Sequence, residues 1–182
     1  MTGSLIPTTI SLPQLSLVVG GAKSGKSSLA ERLITGSARP RTYIATAQAW
    51  DDEMRQKIAD HRHSRGPDWT TVEAPLDLAA ALDAMPDTHA VLVDCATLWL
   101  TNHLLADHDL VAESASLRLA LLRCKARVVV VSNEVGWGIV PDNALARRFR
   151  DAQGRLNQDL AGQADLVLGV MAGLPMVLKG TL

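Results

Sequence analysis

The stretch Leu17-Val18-Val19-Gly20-Gly21-Ala22-Lys23-Ser24-Gly25-Lys26-Ser27 decides how the rest of the chain is read. Gly20, Gly25, Lys26 and Ser27 stand at the spacing G-x-x-x-x-G-K-[ST], the phosphate-binding P-loop. An apolar strand pattern runs into the loop. A helical pattern, Ser28-Leu29-Ala30-Glu31-Arg32-Leu33-Ile34, runs out of it. Strand, loop and helix in that order form the context the motif needs. Glycine tolerates positive φ, so the backbone can wrap closely round a phosphate. The loop N–H groups and the helix N-terminus present partial positive charge to the anion. Lys26 is expected to reach the β- and γ-phosphates, and the Ser27 hydroxyl to ligate Mg2+. A glycine-rich turn beside a solvated lysine would not account for the flanking strand and helix.

Outward from this loop, apolar runs of strand length alternate with helical patterns. Strands are expected at 15–19, 41–45, 69–72, 90–94, 127–131, 166–170 and, as an edge strand, 176–179. Helices are expected at about 26–36, 50–65, 75–85, 97–106, 111–125 and 142–162. Runs such as Val91-Leu92-Val93 and Val128-Val129-Val130-Val131 do not alternate, the pattern of strands covered on both faces of a mainly parallel sheet. The reading is an α/β P-loop NTPase fold with helices flanking the sheet. Ligands of such sheets bind at the carboxyl ends of the strands. The P-loop, Ala45–Ala47, Asp94 and Ser132–Glu134 therefore fall along one edge. Residues 1–14, rich in Thr, Ser and Pro, read as an N-terminal extension, and 15–182 as a single P-loop nucleotide-binding catalytic domain.

Composition bounds the partners. Of 182 residues, 47% are hydrophobic and 20% charged, with a net charge of −1, as expected of a soluble globular chain rather than a disordered one. That charge, with only 3% aromatics, opposes a RecA-like ATPase working on nucleic acid, which needs basic and stacking surfaces. No apolar run approaches the length of a membrane span, and residues 1–14 lack the pattern of a signal peptide. Cys95 and Cys124 are too few for a disulfide framework or a zinc site and read as buried free thiols, consistent with a cytoplasmic location.

Several side chains beyond the loop are candidates for chemistry. Asp94 ends the strand Val91-Leu92-Val93-Asp94, the position of a Walker B carboxylate that holds Mg2+; the plainer alternative is a cap for the helix that follows. Glu134 is placed to position water or substrate, or to shape the turn before Gly136 and Gly138. Within 50–65, Met54, Ile58, His61 and Arg65 recur on one helical face, whereas His63 falls about 200° from His61. A lone inward histidine is commonly a packing residue. Beside Arg62 and Arg65 it is also a candidate nucleophile, because a neutral imidazole can attack phosphorus while arginines hold the phosphates. Glu73 is placed either to bind a purine or ribose or to sit in a solvated turn. Arg147, Arg150 and Arg155 read either as an anion or subunit contact or, by default, as a solvated face.

The segments GGAKSGKS at 20–27, YIATAQAWDDEM at 43–54, HRHSR at 61–65, DCATLWLTN at 94–102, VSNEVGWGIVPDNALARRFRD at 131–151, GRLNQ at 154–158 and AGLPMVLKG at 172–180 together resemble the bifunctional adenosylcobinamide kinase/adenosylcobinamide-phosphate guanylyltransferase family of cobalamin biosynthesis. The resemblance covers about Leu15 to Gly180 and rests on the long 131–151 segment more than on the P-loop. It implies a RecA-type P-loop sheet, a homo-oligomer (a homotrimer) and two reactions at one nucleotide site. ATP or GTP phosphorylates adenosylcobinamide. GTP then guanylylates a histidine, which matches His61, and adenosylcobinamide phosphate takes up the GMP. It implies nucleotide binding at Gly20, Gly21, Ala22, Lys23, Ser24, Gly25, Lys26, Ser27, Ala45, Thr46, Ala47, Arg62, His63, Ser64, Arg65, Glu73 and Asp94, with His61 and Lys26 catalytic and Mg2+ on Ser27 and Asp94. A single-function P-loop small-molecule kinase, with His61 structural, is the alternative. Three positions depart from the family pattern: Lys23 stands where arginine is usual, Ala96 where a larger apolar residue is, and His103 where an apolar one is.

Overall fold

A computed structural model describes residues 11–48 and 66–182. It contains a seven-stranded sheet in the order β3-β2-β4-β5-β1-β6-β7. The strands are β1 (Leu15–Gly20), β2 (Arg41–Ala45), β3 (Trp69–Glu73), β4 (Ala90–Asp94), β5 (Arg127–Asn133), β6 (Leu166–Met171) and β7 (Leu174–Lys179). All neighbours run parallel except β7, which returns antiparallel to β6. The helices are α1 (Lys26–Gly36), α2 (Leu78–Asp83), α3 (Ala96–Leu105), α4 (Leu110–Arg123) and α5 (Ala144–Gln163). The helix expected over 50–65 lies outside the described residues.

Continuous apolar strands produce two cores. Successive side chains along a strand point to opposite faces, so Leu17, Val91, Val93, Val128 and Val130 join one core while Val18, Leu92, Val129 and Val131 join the other. α1 covers the second face with Leu29, Leu33 and Ile34, and α2 to α5 cover the first. Leu33 and Ile34 are completely buried, and truncating a side chain so placed to alanine costs about 2–5 kcal/mol.

The connections out of β1 and β5 run to opposite sides. β1 leads through α1 leftward to β2, and β5 leads through α5 rightward to β6. A crevice opens where such neighbours diverge, outside their carboxyl ends. Gly20 pairs with Asn133 at that point, and the Glu134 N–H donates to the Gly20 carbonyl at 3.0 Å.

Differences from the sequence expectation are local. α2 is shorter than 75–85, because Pro75 and Pro86 bracket it and Asp77 becomes its N-cap. β5 runs on through Ser132 and Asn133, which pair with Val19 and Gly20. β3 includes Glu73, paired with Ala45, so that residue ends a strand instead of following one. Cys95 and Cys124 are buried free thiols as expected.

Candidate functional site

The loop after β1 depends on close backbone approach. A Cβ on Gly20 would lie 2.5 Å from the Val170 carbonyl oxygen and 2.6 Å from Ser24 Oγ, so only glycine fits. Gly25 has φ +96°, and a Cβ there would press on Gly173 Cα at 3.2 Å. Gly173 belongs to the β6–β7 turn, where Ala172 and Gly173 both have positive φ, the signature of a type I′ hairpin turn. Its N–H donates to the Ser24 carbonyl at 2.9 Å. The hairpin tip therefore braces the loop from behind.

α1 begins at Lys26 with Gly25 as N-cap and no side-chain cap, which leaves its first N–H groups to an external acceptor. Lys26 is largely buried, and its Nζ donates to the Gly21 carbonyl at 3.2 Å, holding the ammonium over the loop. The buried Ser24 hydroxyl finds no hydrogen-bond partner among the described residues. Gly21, Ala22 and Lys23 are exposed at the loop's outer curve, and Ser27 is half-buried in the first turn of α1.

A second group gathers beyond β2 and β4. Ala45 pairs with Asp94 on one side and with Glu73 on the other, so three strand ends are level. The Asp94 carboxylate accepts from Tyr43 Oη at 3.2 Å. The N-cap of α3 is Cys95, without a side-chain cap, so Asp94 does not cap that helix. Thr46 is fully buried; its hydroxyl bonds both the N–H and the carbonyl of Cys95, each at 2.8 Å. Asn102 on α3 donates to the carbonyls of Thr46 at 2.8 Å and Pro75 at 2.9 Å. The side chain of Thr46 thus stands behind the edge, and Ala47 follows it half-buried. Burial, with the Asp94 charge adding, pushes the Cys95 thiol up to about 11, and the Lys26 charge acts against it.

A third group lies behind β5. Ser132 is fully buried and turned away from the edge, its hydroxyl donating to Asn157 Oδ1 at 2.6 Å. Gln153 donates to Ser132 Oγ and to Asn157 Oδ1, both at 2.9 Å, and Asn157 donates to the Asn133 carbonyl at 3.0 Å. Thr97 Oγ1 accepts from the Asn133 N–H at 2.8 Å. Glu134 Oε1 accepts from the Gly136 N–H at 2.6 Å, the turn-shaping role of its two readings. Arg147 donates to the carbonyls of Pro141 and Asp142, and Arg150 lies 3.9 Å from Asp151.

The structure thus brings Gly20–Ser27, Ala45–Ala47, Glu73 and Asp94 to one sheet edge. His61, Arg62, His63, Ser64 and Arg65 lie outside the described residues. Sequence reasoning missed Asn102, Gln153, Asn157 and the Gly173 brace. The buried polar residues on α3 and α5 were the available signal, since such groups are kept where they find partners.

Residues 16–178 match the family described as cobinamide kinase / cobinamide phosphate guanyltransferase. The chain is 48% identical over 169 residues to the bifunctional adenosylcobalamin biosynthesis protein CobP of Pseudomonas aeruginosa, covering 90% of this chain and 96% of that protein. It is 44% identical over 180 residues to the bifunctional adenosylcobalamin biosynthesis protein CobU of Salmonella typhimurium, covering 90% and 98%. Among solved structures it is similar to the RadB recombinase, with TM-score 0.53 and 18% identity over 87% of this chain and 74% of the other. That last likeness concerns the fold alone, which is the P-loop, RecA-like α/β class expected from the sequence.

Proposed function

The chain belongs to the cobinamide kinase / cobinamide phosphate guanyltransferase family, and from that premise we propose how one nucleotide grip serves two reactions. The protein is a transferase. It phosphorylates adenosylcobinamide with ATP or GTP, then transfers GMP from GTP to adenosylcobinamide phosphate, giving adenosylcobinamide-GDP and pyrophosphate.

In the proposed mechanism the P-loop N–H groups and Lys26 hold the β- and γ-phosphates in both steps. In the first, the substrate hydroxyl attacks the γ-phosphorus, and the nucleoside diphosphate leaves. In the second, an imidazole nitrogen of His61 attacks the α-phosphorus of GTP; a P–N bond forms, the bond to the bridging oxygen breaks, and pyrophosphate leaves. A phosphate oxygen of adenosylcobinamide phosphate then displaces the imidazole. Arg62 and Arg65, with His63 and Ser64 in the same segment, stabilise charge on the phosphates. Glu73 accepts hydrogen bonds from the nucleoside, and Ala45–Ala47 offers main-chain groups to it. Residues 15–182 act as one catalytic domain.

P-loop enzymes of this kind generally use Mg2+. A hydroxyl at Ser27 and a carboxylate at Asp94 form an oxygen donor set that suits this hard ion, and those two residues would hold it. When bound, it neutralises charge on the phosphates. The homo-oligomer also belongs to the proposal, supported by exposed Trp137 and Ile139 beyond β5 and by Leu174 and Leu178 on β7.

The observation that carries the reading is the braced P-loop standing at the same carboxyl edge of the sheet as Ala45, Glu73 and Asp94. The test uses GTP labelled at the α- or γ-phosphate in the presence of Mg2+. The α-label should stay on the protein as an acid-labile adduct of one GMP, and the γ-label should not. His61→Ala should abolish the adduct and keep most of the kinase step. Absence of α-label on the intact protein, or equal labelling of His61→Ala, would reduce the chain to a phosphoryl-transfer kinase.

A further inference from the structure

Three metal-ligating side chains meet at the corner between α3 and α4, where local turn geometry ordinarily brings apolar residues together. α3 ends in a Schellman motif. The N–H of Asp107, at φ +55°, donates to the Leu104 carbonyl at 3.2 Å, and the N–H of His108 donates to the His103 carbonyl at 3.0 Å. That motif places the third residue from the helix end against the second residue beyond it, usually as an apolar pair. Here the pair is His103 and His108. α4 then starts at once on Asp109, whose carboxylate accepts from the N–H groups of Val111 and Ala112. At such a start the residue before the cap packs on the fourth residue of the helix, again usually as an apolar staple. Here those two are His108 and Glu113. Two consecutive turns thus focus the sequence His-x4-His-x4-Glu on one point.

The geometry is that of a ligand set. His103 Nδ1 lies 2.9 Å from His108 Nδ1 and 3.8 Å from Glu113 Oε2, and one ligand atom from each residue fits within 4.8 Å of the others. His103 Nε2 lies 3.3 Å from the Leu76 carbonyl oxygen, which can only accept, so the ring hydrogen sits on Nε2. The Nδ1 lone pair is therefore aimed into the cluster, and the backbone contact supplies the outer-shell support that metal-bound imidazoles use. The His103 side chain is buried, and its ring is fixed against Trp99 at 4.6 Å between centroids. His108 borders a cavity of about 710 Å3 between α4 and α5, a route by which an ion can enter.

The geometry points to a transition-metal site, of the kind that takes Zn2+, formed by His103 Nδ1, His108 Nδ1 (whose hydrogen, donated to His103 Nδ1 in the ion-free protein, moves to Nε2 on binding) and the Glu113 carboxylate with water as fourth ligand. Two imidazoles and a carboxylate with one open position are a known zinc donor set. Zinc–nitrogen bonds of about 2.0–2.1 Å in a tetrahedron require the two nitrogens to separate by roughly 0.5 Å, which half-buried His108 on its turn permits. The site lies at the far end of α3 from Thr97, so its role is to staple α3 to α4.

The test uses the full chain, stripped with a chelator and titrated calorimetrically with Zn2+, with Co2+ as a spectroscopic probe. Wild type should bind one equivalent that is lost, or weakened at least about 100-fold, in His108→Ala and in His103→Leu. Co2+ should give the intense visible band of tetrahedral coordination in wild type only. At a zinc concentration 100 times its Kd, Tm should rise by about 5–10 °C in wild type and not in the variants. Both transferase activities should stay within about twofold in His108→Ala. No zinc uptake by wild type, or equal uptake by wild type and variants, overturns the site. Should His103→Leu fail to fold, His108→Ala and Glu113→Gln carry the same comparison.

Discussion

Around β1 the carboxyl edge of the sheet is held by backbone against backbone. Gly20 sits where a Cβ would meet the Val170 carbonyl, and Gly25 lies against Gly173. Around β2 and β4 the same edge is held by side chains. Thr46 grips the backbone of Cys95, and Asn102 reaches from α3 to the carbonyls of Thr46 and Pro75. The first half gains its shape by omitting side chains, so the N–H groups at the uncapped start of α1 stay open to an anion. The second half gains its shape from side chains whose polar groups are already engaged. A phosphate grip suits the first kind of construction, and a fixed shelf beside it suits the second.

The contrast gives two ways to break it. Lys26→Ala removes the ammonium folded over the glycine-built half. Both transferase activities should fall by about 10²–10³, equivalent to about 3–4 kcal/mol of transition-state stabilisation, while the urea midpoint stays close to wild type. Retained activity would mean that the loop amides suffice. Asn102→Leu strikes the other half, leaving the buried Thr46 carbonyl and the half-buried Pro75 carbonyl without this donor. It should destabilise folding by about 3 kcal/mol in urea titrations and affect turnover less than Lys26→Ala does. A loss below about 1 kcal/mol would show that the shelf is held elsewhere.

Cys95, at the junction of the halves, sharpens the comparison. Its thiol ionises near pH 9 when unfolded and near pH 11 when folded. Between those values the unfolded chain has released a proton that the folded chain retains, so stability falls as pH rises. The loss should be on the order of 2 kcal/mol by pH 11. Cys95→Ala should lack that alkaline slope, and an identical slope in the variant would assign it to other groups.

The two halves also differ in how far the sequence revealed them. Gly20, Gly25, Lys26 and Ser27 form a spacing that depends on backbone geometry, and the strand and helix patterns either side confirm its context. Valine runs in β4 and β5 likewise announced buried parallel strands. Thr46, Asn102, Gln153 and Asn157 repeat at no period, and their partners are backbone groups far away in sequence. A polar residue that satisfies a distant carbonyl looks, in one dimension, like any surface residue. Ser132 and Asn133 fall just past the strand expected at 127–131 for the same reason, and it is β1 that supplies ladder partners for them. His103 drew notice only as a polar residue at an apolar position; its meeting with His108 and Glu113 depends on two consecutive turns.

The bond from Gly173 to Ser24 also bears on how the protein is made. Ribosomes deliver the phosphate loop early and the turn that supports it late. A nascent chain that has not yet reached the β6–β7 hairpin carries the nucleotide motif without its brace. Whatever part of the loop's shape depends on this brace is completed only when β6 and β7 have been made.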